Sequence, residues 1–243
     1  MTARIIAVAA VFAFGLQAAS ISLENDFSTS NGNPNGQWSY LVGTTLLTPQ
    51  IPISNGNPQQ PAFNNGYFGT GNNLYVQTPD VARAAVNGSA AGETDLDFLA
   101  GDLLVHSAND GTTTFLNWTA STDGDISGFS FDIWYAHSAA GARSNDFALY
   151  INNTLLAANS LNLTQNFNRS NAYTYINNPG FSVLAGDVIS LAITKSANQG
   201  PGSIDGVNLD FTFTPTEAPE PGTALLAIPA IAGLLYRRRM NRR

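Results

Sequence analysis

The chain has 243 residues, 44% of them apolar and only 11% charged, enough for one domain with one sizeable core. Six of its ten Lys and Arg sit at the ends (Arg4, Arg237, Arg238, Arg239, Arg242, Arg243), so Ser20 to Ala218 carries sixteen Asp and Glu against four basic residues, too acidic a stretch to line a nucleic-acid groove. The absence of Cys excludes disulfides, a thiolate nucleophile and Cys-ligated zinc or iron–sulfur centres.

In chain order, residues 1–20 read as a signal peptide. Arg4 supplies the positive start, Ile5 to Leu16 the apolar helix, and Ala18, Ala19 and Ser20 the small residues a signal peptidase accepts, with cleavage expected after Ser20. Residues 31–71 are rich in Asn, Gly, Pro and Gln and are expected to form surface loops around one early strand. Beyond them the apolar period is two. Trp38, Tyr40 and Val42 alternate, as do Phe129, Phe131, Ile133 and Tyr135, then Phe147, Leu149 and Ile151, then Ile189, Leu191 and Ile193, and finally Val207, Leu209, Phe211 and Phe213. Turn signals separate these runs: Asn109-Asp110-Gly111, Asp123-Gly124-Asp125, Asn152-Asn153, Asn177-Asn178-Pro179-Gly180 and Gly200-Pro201-Gly202. The expected body is an all-β antiparallel sandwich over 21–214, followed by an extended linker at 215–218.

Chemistry-bearing residues are sparse. There are two histidines, His106 and His137, and no Gly-x-Ser-x-Gly or His-Glu-x-x-His motif. His137 lies near Ser138 and Asp146, but a solvated loop histidine is the plainer reading, and no catalytic residue is assigned. Glu93, Asp95 and Asp97 occupy alternate positions, so on a strand they share one face, which either holds a hard cation or meets water. Trp134 shares a polar-phase face with Asp132, which makes the pair a candidate platform for a sugar ring, set against the alternative of ordinary core packing for the indole.

At the C-terminus, Pro219-Glu220-Pro221 precedes an apolar run at about 223–236, and Arg237, Arg238, Arg239, Arg242 and Arg243 follow it. The apolar run is short for a membrane helix and holds Pro229, but the arginines would stop it at cytoplasmic headgroups and leave the body outside. This layout resembles the PEP-CTERM sorting signal of Gram-negative bacteria, whose substrates are cut by exosortase. The likeness covers 219–243. It implies a transient membrane anchor, cleavage near the Pro-Glu-Pro motif, and delivery of the body to the cell surface or the extracellular matrix.

Several phrases in the second half of the body, such as Phe147 to Leu156, Ala185-Gly186-Asp187 and Ile204 to Phe213, resemble jelly-roll modules of the carbohydrate-binding kind. That resemblance implies a jelly-roll sandwich, association with extracellular polysaccharide, and a structural calcium ion near the joined termini, for which Glu24, Asp26 and Asp210 would be the ligands. No other cofactor is expected. A secreted glycan-acting hydrolase and a purely structural or adhesive envelope protein are the alternatives to a non-catalytic binding protein.

Overall fold

The computed structural model describes residues 17–50, 62–64, 79–84, 87–88, 96–136, 143–162, 164–165, 167–197, 199–200 and 202–216. Most of the expected signal peptide, Glu93, Asp95, His137, Ser138, and the sorting motif with its apolar run and arginines lie outside these residues. Among the described residues no helix is long and apolar enough to cross a membrane.

Strand is the dominant regular structure of the described chain. The chain begins with β1 (Ala19–Ser22), a single helical turn α1 (Leu23–Asp26), β2 (Trp38–Val42), β3 (Thr45–Leu46), β4 (Thr48–Gln50), β5 (Ala62–Asn64), β6 (Asp80–Arg83) and β7 (Leu103–His106). It continues through β8 (Thr114–Thr119), β9 (Gly124–Tyr135), β10 (Asn145–Ile151), β11 (Thr154–Leu161), β12 (Tyr173–Asn177), β13 (Phe181–Val183), β14 (Val188–Lys195) and β15 (Ile204–Pro215). All pairings are antiparallel and form two sheets. Sheet A runs β12-β9-β15-β7-β6-β5-β4, with β1 added beside β15 and β13 beside β9; sheet B runs β11-β10-β14-β8-β2-β3.

The inward phase of each strand makes one core between the sheets. Phe129, Phe131 and Ile133 of β9 and Leu209, Phe211 and Phe213 of β15 face Trp118 of β8, Phe147 and Leu149 of β10, and Leu191 of β14. Trp118 meets Phe211 and Phe213 edge-on, with ring centroids 5.0 and 5.3 Å away, and Phe131 lies 5.7 Å from Phe147. Such contacts add to the burial of large rings and fix how the sheets sit on each other. The alternating apolar residues named from the sequence are those that fill this core, because period two is a statement about one face of a strand.

Local turns follow their residues. Asn152 takes φ 51° between β10 and β11, a left-handed conformation Asn tolerates, and its side-chain amide ties the turn to β14 by accepting from Val188 N at 2.9 Å. Two boundaries differ from the sequence reading. β1 starts at Ala19, with Ala19 opposite Phe213 and Ser20 opposite Thr212, so the sheet takes in two residues placed in the signal peptide. At the other end Pro215 still pairs with Gly124, and Thr216 N donates to Asp123 O at 3.0 Å, so the sheet extends into the stretch read as linker.

Candidate functional site

The outer face of sheet B carries an open groove of about 470 Å³ over β8, β10 and β14. Its rows follow from register. Tyr150 lies beside Ser190 and Asn117; Ala148 lies beside Ala192 and Phe115; Asp146 lies beside Thr194. The alanines make a low floor between two aromatic side chains that stand one strand apart on either side of β14, roughly 10 Å from strand to strand. A β-bulge between Leu149 and Tyr150 in the pairing with β11 falls at the aromatic position, and bulges commonly re-aim a side chain.

The polar groups of the groove are ordered by one another. Ser190 Oγ donates to Asn117 Oδ1 at 2.6 Å, and the hydroxyls of Thr113 and Thr194 bond at 2.8 Å. Asp146 Oδ1 accepts from Ser160 Oγ at 2.6 Å and from Ser196 Oγ at 2.8 Å, while its Oδ2 has no partner among the described residues. Asn152 and Asn153 from the β10–β11 turn complete one end. Among the described residues the lining thus offers two apolar ring faces, several neutral hydroxyls and amides, one carboxylate and no cation. Such a surface suits a polyhydroxylated chain that stacks its rings and bonds its hydroxyls.

The sequence-predicted platform does not form. Trp134 does project from the outer face of sheet A, as its phase requires, but there it is only 6% exposed. Leu96, Phe98 and Leu104 pack with it, its Nε1 donates to Asp97 O at 2.8 Å, and the Arg169 guanidinium lies 5.8 Å from its ring centre. Arg169 is held there by a bidentate pair to Asp102, at 2.7 and 2.9 Å. A segment far away in sequence therefore roofs the indole. Asp132, half-buried, is left to accept from Thr174 Oγ1 at 2.6 Å.

The expected calcium ligands do not gather either. Asp26 Oδ2 accepts from Ser22 N and from Trp38 Nε1, both at 3.2 Å, whereas Asp210 sits on β15 and accepts from Asn208 Nδ2 at 2.8 Å. Glu24 approaches Gly101 instead. Among the described residues no three His, Cys, Asp or Glu side chains come together as a metal cluster. Asp97, the described member of the acidic alternation, spends Oδ2 on Arg169 N at 2.8 Å.

A second polar group lies wholly inside. Asn145 Nδ2 donates to Asp205 Oδ2 at 2.6 Å and to Ser203 O at 2.9 Å, while Ser107 Oγ donates to Asn145 Oδ1 at 2.6 Å. Asp205 is fully buried and Asp80 nearly so, and burial pushes each carboxyl up to about 8. Register places Asp205 on the core side of sheet A, beside Val105 and Tyr135, and Asp80 in the next row beside His106, hence on the opposite face. His106 is equally buried, with Nδ1 2.7 Å from Ser107 O. These groups stabilise or strain the fold and have no open face toward a substrate.

Phe115 and Tyr150 were missed although the same test that singled out Trp134 applies to them. Each interrupts the polar phase of an alternating run, Phe115 between Thr114 and Leu116, Tyr150 between Leu149 and Ile151. No family model and no curated protein matches the chain. Among solved structures it is similar to the C-terminal CBM6 of LamC, a laminarinase of Zobellia galactanivorans, at 13% identity over 46% of this chain and 78% of that one, with a TM-score of 0.25. It is also similar to the Stig cyclase Fisc from Fischerella sp. TAU, at 15% identity over 76% and 89%, TM-score 0.31, and to another cyclase from Fischerella sp. TAU, at 15% over 83% and 100%, TM-score 0.29.

Proposed function

We propose that the chain is an exported, non-catalytic surface or matrix protein that associates with extracellular polysaccharide through the groove of sheet B. The observation that carries this reading is the pair of outward aromatics, Tyr150 and Phe115, set across an alanine floor beside ordered hydroxyls and amides. A roofed indole such as Trp134 could not serve; Tyr150, half-buried and lining the groove, can. The alternation of successive strands between the sheets from β7 to β10 and from β13 to β15 supports reading the sandwich as a jelly roll. Tyr150→Ala is expected to weaken binding of the full chain to the producing cell's polysaccharide roughly tenfold, with the melting temperature little changed. Unchanged affinity would remove the groove from the reading. Released sugar in the same assay would favour a glycan-acting hydrolase, and absent binding a structural or adhesive envelope role.

Delivery would follow from the ends. Burial in β1 begins at Ile21, the first residue after the expected cut, while Ala19 and Ser20 are exposed; losing them would leave Ile21 opposite Phe211 and Ser22 opposite Asp210. The tail at 219–243 would hold the protein in the cytoplasmic membrane until exosortase removes it near Pro219, Glu220 and Pro221. Mass spectrometry of surface-extracted protein is expected to find no peptide containing Arg237 to Arg243, whereas intact C-terminal peptides there would sink the sorting proposal.

A further inference from the structure

Resting on the polysaccharide reading, the geometry points to a more specific ligand: we propose that the groove recognises an amino sugar carrying a free ammonium group, with Asp146 as its counter-charge. Two observations converge on this. Among the described residues Asp146 is the one charged side chain lining the groove, and no Lys or Arg shares the lining to neutralise it. Its orientation is set beforehand: two hydroxyl donors, Ser160 Oγ and Ser196 Oγ, both hold Oδ1, and Oδ2 has no partner among the described residues. A carboxylate presented in this way gains a charge-assisted bond to an ammonium without first having to be ordered.

The surroundings favour the same charge. The faces of Tyr150 and Phe115 attract a cation as well as stacking on a ring. The body as a whole has sixteen acids against four bases, so a chain of uronic acids or sulfated sugars would meet repulsion at long range and a carboxylate at contact, while a partly de-N-acetylated amino-sugar chain would be drawn in. Neutral sugars could use the rings and hydroxyls but would leave Asp146 solvated.

The test is calorimetric titration of the full chain at mildly acidic pH with short chitosan oligosaccharides, their fully N-acetylated counterparts, and alginate oligosaccharides. Chitosan is expected to bind about tenfold tighter than the N-acetylated form, the preference shrinking with added salt, and alginate not to bind. Asp146→Asn, at an exposed position, should erase the preference for chitosan over the N-acetylated form. Equal affinity for the two forms overturns the proposal. So does a chitosan preference that survives Asp146→Asn, since it would come from the acidic body at large. If none of the three binds, the polysaccharide reading itself has failed, which is a different result from binding without preference.

Discussion

Stability is expected to fall as pH rises from about 4 to about 8, which is the reverse of the usual behaviour of a carboxylate-rich protein. Asp205 is sealed between the sheets; Asn145 satisfies Oδ2, but Oδ1 has no partner among the described residues. Asp80 is buried on the other face of sheet A. In both, loss of hydration penalises the charged form and holds the proton until about pH 8, against 3.8 for a solvated aspartate. Between those values the folded chain keeps protons that the unfolded chain has released, so rising pH favours unfolding across that window and levels off above it. Each group can account for at most about 6 kcal/mol, a large share of an ordinary domain's stability, and water entering the sandwich would relieve part of that. Asp110 and Asp187 are exposed and pulled below 3.8 by backbone N–H bonds, from Thr112 and Leu184 respectively, so they act in the opposite sense, and only at lower pH. Urea melts at pH 5 and pH 8.5 are expected to give a markedly higher midpoint at pH 5. Asp205→Asn should flatten the profile, and a variant with an unchanged slope would show that Asp205 does not carry it.

Gly206→Ala is expected to cost about 3 kcal/mol, a large penalty for one methyl group on a strand. Gly206 lies in register with Trp134 on one side and Leu104 on the other, and the indole folds across it so closely that an added Cβ would overlap the ring. The ring cannot move aside cheaply. Its N–H is bonded to Asp97 O and Arg169 lies over it, itself pinned by Asp102. The extra methyl should therefore displace the roof formed by residues 96–102, raising its proteolytic sensitivity. Trp134→Ala should cost about 3–5 kcal/mol by leaving a cavity, and the double variant much less than the sum, since without the indole the methyl has room. Additive losses in the cycle would contradict the contact.

These two sites show how far sequence patterns reach. The phase of Trp134 was legible: it points away from the main core with Asp132, as alternation requires. That the face would be covered was not, because its cover comes from residues 96–102 and 169, and no local pattern links them to β9. Phe115 and Tyr150 have the same outward phase, and each stays half-buried along the groove, where Trp134 is roofed. The calcium triad failed for a related reason. Glu24 and Asp26 lie on one helical turn, but Asp26 turns toward Trp38 of sheet B while Asp210 stays on sheet A.

That this body is antiparallel β, which alternating residues face its core, where it turns, and that it is acidic and free of thiol chemistry are all legible in the residues alone, because these depend on local alternation, backbone preference and composition. Tertiary structure alone decided the order of strands, which outward aromatic stays open, and which aspartates lose their water. Those depend on which distant segment lies over which face, and a strand's own pattern names its two faces without naming what will cover them.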